Sequence, residues 1–438
     1  MTLLGRLRGS VAGFVPRDGF DRRLLAPMIL GSVLNPVNSS IIAVSLVPIG
    51  VAFGAPPAAT AWLVSALYVA TAIGQPVTGR LIDTYGPRRM FLGATVLVGI
   101  AGVIGTVAPN LGVLIIARVV LGFGTCAGYP AAMSLIRSEA RRTGRQSPAG
   151  VLTVLVVSSQ TIAVIGPPLG GVLIGLGGWR TTLAVNIPLA IAALTLGAWR
   201  LPKTGSRRGD TTRGRITLDY PGMMAFAGML VALLLFLMHP QPSRWYLPVI
   251  AVVAGACFAV RERRAADPFI DLRMLGGNVP LLVTYARTLL AYVVSYSFLY
   301  GYTQWLEDGR GLSPSAAGLL QLPVFATGII VSVTTGRRKE LRGKLLVGAG
   351  SQLVACGLLL TLGSGSAIWL LLVVALLFGI PQGLNSLALQ NSVYYQADPD
   401  RIGSSSGLLR TFTYLGAIVA AAAQGSFYGH TAGTGGLH

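Results

Sequence analysis

Charge is what this sequence has little of. Asp, Glu, Lys and Arg make up 11% of its 438 residues, against about a quarter in water-soluble domains, while 53% of the chain is hydrophobic. That balance excludes a water-soluble globule. Acid is scarcer still, with 14 Asp+Glu against 34 Lys+Arg and a net charge of +20. In a soluble protein such an excess would point to nucleic acid; here the question is where the charges lie. The three cysteines, Cys126, Cys257 and Cys356, sit in apolar runs without CxxC or Cys/His spacing. Neither a disulfide framework nor a metal site is indicated, and they read as small core residues. The three histidines, His239, His430 and His438, accompany no nucleophile and orienting acid, so nothing marks an enzyme. No GxxxxGK[ST] phosphate loop occurs, which argues against an ATP-driven pump.

Long apolar runs are present instead. A bilayer-spanning helix needs about 20 predominantly apolar residues, and thirteen such runs are predicted near 24–47, 58–79, 90–108, 111–136, 149–176, 180–199, 219–238, 245–260, 280–303, 317–335, 344–363, 367–391 and 402–425. The N-terminal segment has several arginines but no short apolar core with a cleavage site, so it reads as a cytoplasmic leader. With the N-terminus inside, 28 of the 34 basic residues fall in the leader and in alternate loops, three in outer loops, and three (Arg118, Arg287, Arg410) within spans. This is the positive-inside pattern of a cytoplasmic membrane, and one missed span would invert it downstream. The expectation is an all-α, multi-pass integral membrane protein that binds no nucleic acid.

The loop after the second span reads Gly79-Arg80-Leu81-Ile82-Asp83-Thr84-Tyr85-Gly86-Pro87-Arg88-Arg89. The glycines permit a tight reversal and close helix approach, Asp83 can accept hydrogen bonds from a neighbouring helix N-terminus, and the arginines can bind carboxylates or lipid phosphates. Gly336, Glu340 and Gly343 repeat the spacing after the tenth span among basic residues, as an internal duplication would produce. This turn resembles the G-x-L-x-D-R-x-G-R-[RK] signature of the major facilitator superfamily, with Thr84 where the family usually has Arg. Three further stretches are similar: Arg118 with Gly122 to an R-x-x-x-G element; Gly166-Pro167-Pro168-Leu169-Gly170-Gly171 to the G-P-x-x-G-G motif of antiporting exporters; and Trp179-Arg180 with Asn186-Ile187-Pro188 to the W-R…N-x-P entry of the fourteen-helix drug:proton antiporter branch.

That resemblance implies two six-helix bundles with an extra central helix pair: a leader (1–23), an N-terminal bundle (24–200), a basic linker (201–218), a two-helix insert (219–262) and a C-terminal bundle (263–438) in which five spans are seen. Thirteen is odd for a protein of paired repeats. The short tail ending at His438 would lie outside, so either the chain ends one helix early or a last helix is missing through truncation, the reading favoured here. The implied activity is export of small hydrophobic or amphipathic compounds by alternating access, driven by a proton gradient with no cofactor, by a monomer whose partners are solute, protons and lipid bilayer. Facilitated or uptake movement of an organic anion stays open, as does a transport-inactive scaffold or sensor.

Candidate residues follow from cost. A charge in a span is expensive, at least ~2.5 kcal/mol on lenient scales, so Arg118 is expected to face the interior unless it snorkels; Arg287 and Arg410, nearer the cytoplasmic span ends, are expected to snorkel. Gly166, Pro167, Gly170 and Gly171 are denser than a packing notch needs and suggest a hinge or tight helix contact. The first span is broken by Asn35-Pro36-Val37-Asn38-Ser39-Ser40, irregular backbone that should line a cavity or be buried in protein. The drug:proton branch carries an Asp where Asn38 aligns, and none of the 14 acids falls mid-span, so Asp83, Glu307, Asp308 or water linked to Arg118 would have to carry a proton. Tyr292, Tyr296 and Tyr300 share one face of the ninth span, and Gln382, Asn385 and Gln390 lie on the twelfth. By the resemblance these spans line the central cavity, where aromatics and neutral amides suit an amphipathic solute; interhelical packing is the alternative for the tyrosines.

Overall fold

The computed structural model describes residues 21–428 except 56, 144–148, 203–218, 239–240, 266–267, 269, 271, 303–304, 313 and 336–340. The leader up to residue 20, most of the basic linker, most of the second turn at Gly336 and Glu340, and the tail from 429 lie outside the described residues, as do the side chains of Pro167, Pro168, Tyr300, Glu307 and Asp308. No strand occurs among the described residues.

Every predicted span falls on helix. The N-terminal set is α1 (Leu25–Phe53), α2 (Pro57–Tyr85), α3 (Pro87–Val107), α4 (Leu111–Thr125), α5 (Gly128–Thr143), α6 (Ala149–Gly177), α7 (Trp179–Ala184) and α8 (Asn186–Arg200). The fourth span is thus α4 running into α5, and the sixth is α7 running into α8. A hairpin of α9 (Tyr220–Met238) and α10 (Tyr246–Arg264) follows, then the short α11 (Leu272–Gly277), α12 (Val279–Ser297), α13 (Pro314–Thr335), α14 (Leu341–Leu359), α15 (Ile368–Gln396) and α16 (Ile402–Tyr428). The ninth span does not end near residue 303: beyond α12 the chain continues in wider π turns at Phe298–Tyr302 and Trp305–Gly309.

Local chemistry sets the ends. Asn110 and Asn278 cap α4 and α12 by accepting the backbone N–H of Val113 at 2.9 Å and Leu281 at 3.2 Å, each satisfying a donor that a helix start leaves open. Gly86, at φ +88°, makes the left-handed step between α2 and α3, and Pro87 then opens α3 with its missing N–H where none is needed. Eight helices among the described residues are long and apolar enough to cross a membrane, and a ninth if the bent α6 counts as one span. Others are more polar because they are interior: α16 carries Ser404, Ser405, Ser406, Thr411 and Thr413, of which Ser406, Thr411 and Thr413 are buried.

Helix α1 packs on α6, α12 on α16, and α13 and α14 on α15. Two seams join the N-terminal set to the C-terminal one, α2 against α16 and α6 against α13, and α9 lies on both α2 and α16. One end of the bundle, where Arg88, Arg89, Arg137, Arg141, Arg142 and Arg401 gather, is called the basic face below. Not all cysteines are core: Cys126 is buried, Cys356 half-buried and Cys257 exposed on α10.

Candidate functional site

At the basic face, α2 and α16 meet backbone to backbone. A Cβ on Gly79 would strike the Gly403 carbonyl, one on Gly403 would meet Asp83, and one on Gly407 would strike the Gln75 carbonyl. This proximity delivers Asp83 to the first turn of α16. Its Oδ1 accepts the Gly403 N–H at 2.9 Å, and its Oδ2 accepts the Ser404 N–H at 2.8 Å and the Ser404 hydroxyl at 2.5 Å. The expected acceptor role at a helix N-terminus is therefore what the geometry displays, with free first-turn donors and the helix dipole both favouring the carboxylate. Asp83 lies past the predicted span, and burial still pushes its carboxyl up to about 6, outweighing the bonds from Ser404 and Gly403 and the Arg80 charge that lower it.

The rest of the turn supports this latch. Thr84 donates to the Arg80 carbonyl at 2.9 Å. Arg88 donates to the Ala198 carbonyl near the end of α8 at 2.9 Å rather than to a carboxylate, and Arg89 is exposed. A second closure lies alongside: Arg141 at the end of α5 pairs with Asp400, just before α16, at 3.1 Å, and the Arg137 guanidinium sits 5.1 Å from the Tyr394 ring.

Deeper in, Arg118 does not snorkel. It is 1% exposed, its Nε donates to the Leu63 carbonyl at 2.9 Å and an Nη to the Asn38 carbonyl at 3.4 Å, and its Nη2 has no partner. It therefore ties α4 to α2 and α1. Arg287 is exposed, as a snorkelling residue should be.

Asn38 is not a cavity residue. Its side chain donates to Asn186 Oδ1 at 2.7 Å and receives the Asn186 amide at 2.8 Å; each amide also donates to a backbone carbonyl about one turn earlier, Leu34 of α1 and Leu183 of α7. With both amides buried, the pair is a neutral clamp between α1 and α8.

The GPPLGG stretch coincides with a 46° bend between Gly150–Gly166 and Leu169–Gly177, and Gly166 lies flush against Ser40 of α1 with no room for a Cβ. Gly170 is buried and Gly171 exposed without a close neighbour. The amides of α15 diverge. Gln382 reaches Gly328 of α13, which also neighbours Gln160 of α6, at the second seam; Asn385 instead packs on Gly348 of α14, away from Gln382, and Gln390 bonds to Ser386 of its own helix at 3.1 Å.

Between the bundles, the structure brings the expected Tyr292 and Tyr296 together with residues that the sequence did not connect to them. Tyr292 and Tyr296 stand 5.9 Å apart by ring centroid, and Tyr68 of α2 faces Tyr414 of α16 at 5.7 Å. The Tyr414 hydroxyl donates to Asn35 Oδ1 at 3.1 Å, and Asn35 donates in turn to Thr125. Arg410 does not snorkel either: its guanidinium lies 4.0 Å from the Tyr129 ring centroid, across the seam on α5. One signal for this was available in the sequence. Gly403, Gly407, Arg410 and Tyr414 recur at helical spacing, as do Asp83, Gly79, Gln75 and Tyr68, so one face of each helix carries both latch and cluster.

A model of the Major Facilitator Superfamily matches residues 28–421. The chain is 32% identical over 416 residues to the uncharacterized MFS-type transporter YwoD of Bacillus subtilis, covering 92% of this chain and 90% of that one. It is 29% identical over 398 residues to the cephamycin export protein CmcT of Amycolatopsis lactamdurans, with 86% and 79% covered. In fold it matches the crystal structure of the human organic anion transporter MFSD10 at a TM-score of 0.69, with 16% identity and 96% of both chains covered. Two bundles joined at paired seams, the acid turn between α2 and α3 and these matches agree: the chain is a multi-pass membrane transporter that belongs to the Major Facilitator Superfamily.

Proposed function

We propose that this transporter exports small hydrophobic or amphipathic compounds from the cell, coupled to proton entry, with its basic face and N-terminus in the cytoplasm. The observation that carries the proposal is the α2–α16 seam, which holds the Asp83 latch at the basic face and the Tyr68–Tyr414 pair at its deeper end. A solute held between the bundles and the latch that shuts the basic face then act on the same two helices. Rocking of the bundles about that site exchanges access from one face to the other. The relative that carries cephamycin export in its name supports the outward direction.

Asp83 supplies a proton site with the sign that antiport requires. Closed and buried, its carboxyl is pushed up to about 6; opened to water, it falls back towards the ordinary carboxylate value. The closed basic face thus holds a proton more tightly than the open one, and opening to the cytoplasm releases it. The Asn38–Asn186 clamp, in the place where the resemblance expects an acid, carries no proton.

Everted membrane vesicles containing the protein, energised to acidify their lumen, test this with ethidium and carboxyfluorescein as probes. Accumulation that collapses on adding a protonophore supports proton-coupled export. Equilibration independent of the gradient would replace it with facilitated movement, and no flux of either probe would favour the scaffold.

A further inference from the structure

Arg410 is a positive charge within a membrane span that forms no ion pair with an acid among the described residues. The ion pairs of Arg141 with Asp400, Arg142 with Glu139 and Arg261 with Asp219 lie elsewhere. Its guanidinium lies on the face of Tyr129, and the Tyr129 hydroxyl is itself buried without a hydrogen-bond partner among the described residues. The surrounding polar groups, Tyr68, Tyr292, Tyr296, Tyr414 and Asn35, are all neutral. A second cation, Arg118, borders the same cluster: it donates to the Asn38 carbonyl, one turn along α1 from Asn35, and its Nη2 has no partner among the described residues.

An arginine in a low-dielectric interior is stabilised by an anion that it can hold through paired, charge-assisted hydrogen bonds. A cation brought to the same place meets two positive charges and no counter-ion. The tyrosine rings offer broad faces for an aromatic or aliphatic body, and the orphan Tyr129 hydroxyl can donate to an anionic oxygen.

We propose that Arg410 is the anion-binding residue of a central site whose ligands are amphipathic organic anions, bearing a carboxylate or sulfonate on an apolar body. This names the substrate class of the site on which the transport reading rests. The two bundles contribute jointly, Arg410, Tyr292, Tyr296 and Tyr414 from one and Tyr129, Tyr68 and Asn35 from the other, so a bound anion draws them together.

The test is binding rather than flux. Anisotropy of carboxyfluorescein is titrated with the full chain in phosphatidylcholine nanodiscs, beside ethidium as the cationic probe. Saturable carboxyfluorescein binding is expected, displaced by naphthalenesulfonate and not by naphthylmethylammonium. Arg410→Gln should weaken it at least about tenfold, as loss of a charge-assisted bond does, with Arg410→Lys in between and ethidium binding unchanged or improved. Tyr129→Phe, which keeps the ring beneath the guanidinium, should weaken it a few-fold. If Arg410→Gln does not fold, the displacement pair on the native protein decides alone. Wild-type affinity in Arg410→Gln, displacement by the ammonium compound, or no saturable binding of the anion would each overturn the proposal. Loss of binding in phosphatidylglycerol discs would also overturn it, assigning the site to a lipid phosphate. Because binding needs no turnover, anion binding without vesicle flux would remove the transport reading alone, and cation flux without anion binding would remove this inference alone.

Discussion

Asn38 on α1 and Asn186 on α8 exchange two side-chain hydrogen bonds, at 2.7 and 2.8 Å, with both residues buried. Every amide hydrogen that one offers has an acceptor on the other or on a backbone carbonyl about one turn earlier, so the pair fastens two spans without charge. Truncating one member leaves the other buried and unsatisfied, whereas removing both removes the need. Asn38→Ala should therefore lower stability by about 1–3 kcal/mol, while Asn38→Leu with Asn186→Leu should recover most of the loss. Thermal unfolding in detergent measures both; equal loss in the double variant would show that the amides do more than satisfy each other.

Asp83→Asn keeps the shape of the latch and removes its charge. The amide also puts an NH2 donor where a carboxylate oxygen accepts from the first turn of α16, and a buried donor left without its acceptor costs about 1–3 kcal/mol, so the closed basic face should lose roughly 5- to 100-fold in population relative to the open one. Transport should fall while membrane abundance stays near wild type. Unchanged flux would take the gating role from this turn.

The same carboxyl predicts a pH dependence. Its value is about 6 when closed and nearer the ordinary 3.8 when hydrated, so the closed form binds protons more tightly. Closure is therefore favoured progressively as pH falls through 6 towards 4, and that extra favour is lost as pH rises through 6. In a chain whose native cysteines are replaced, a thiol at Gln75, buried on the seam, should slow in labelling from pH 8 to pH 5 by a larger factor than free cysteine, whose own thiolate fraction falls with pH. Asp83→Asn should flatten the dependence.

Arg118→Ala should cut flux and thermal stability strongly, since its bonds to the Leu63 and Asn38 carbonyls hold three spans together. Arg287 is exposed, and Arg287→Ala should stay within about 0.5 kcal/mol of wild type. Parallel flux and unfolding assays rank the two, and the reverse ranking would mean that the buried charge has no role.

The seams were less legible than the spans. Span positions follow from apolar runs, and the Asp83 turn from glycines and an acid a few residues apart; both are local properties of the chain. Pairing is not local. Asn38 and Asn186 are 148 residues apart and Asp83 and Ser404 are 321 apart, so the first looked like cavity lining and the partner of the second was known only as some helix N-terminus. Arg410 was misplaced because distance from a span end says nothing of direction; the face it shares with Gly403, Gly407 and Tyr414 gains meaning only once α2 lies against it. The π turns after α12 have no counterpart in an apolar pattern, which a wider helix leaves unchanged. Asn385 and Gln382, one turn apart, go to different neighbours because α15 is packed by both α13 and α14.

The most direct test of an exporter that must open and shut its basic face is to hold that face shut. Arg141 and Asp400 meet across it at 3.1 Å, so Arg141→Cys with Asp400→Cys, in a chain whose native cysteines are replaced, places two thiols for a short bifunctional cross-linker. Gradient-driven flux of the probes into everted vesicles should be present before cross-linking, abolished after it and restored when a cleavable linker is cut. Full flux with the linker in place would contradict alternating access through this face.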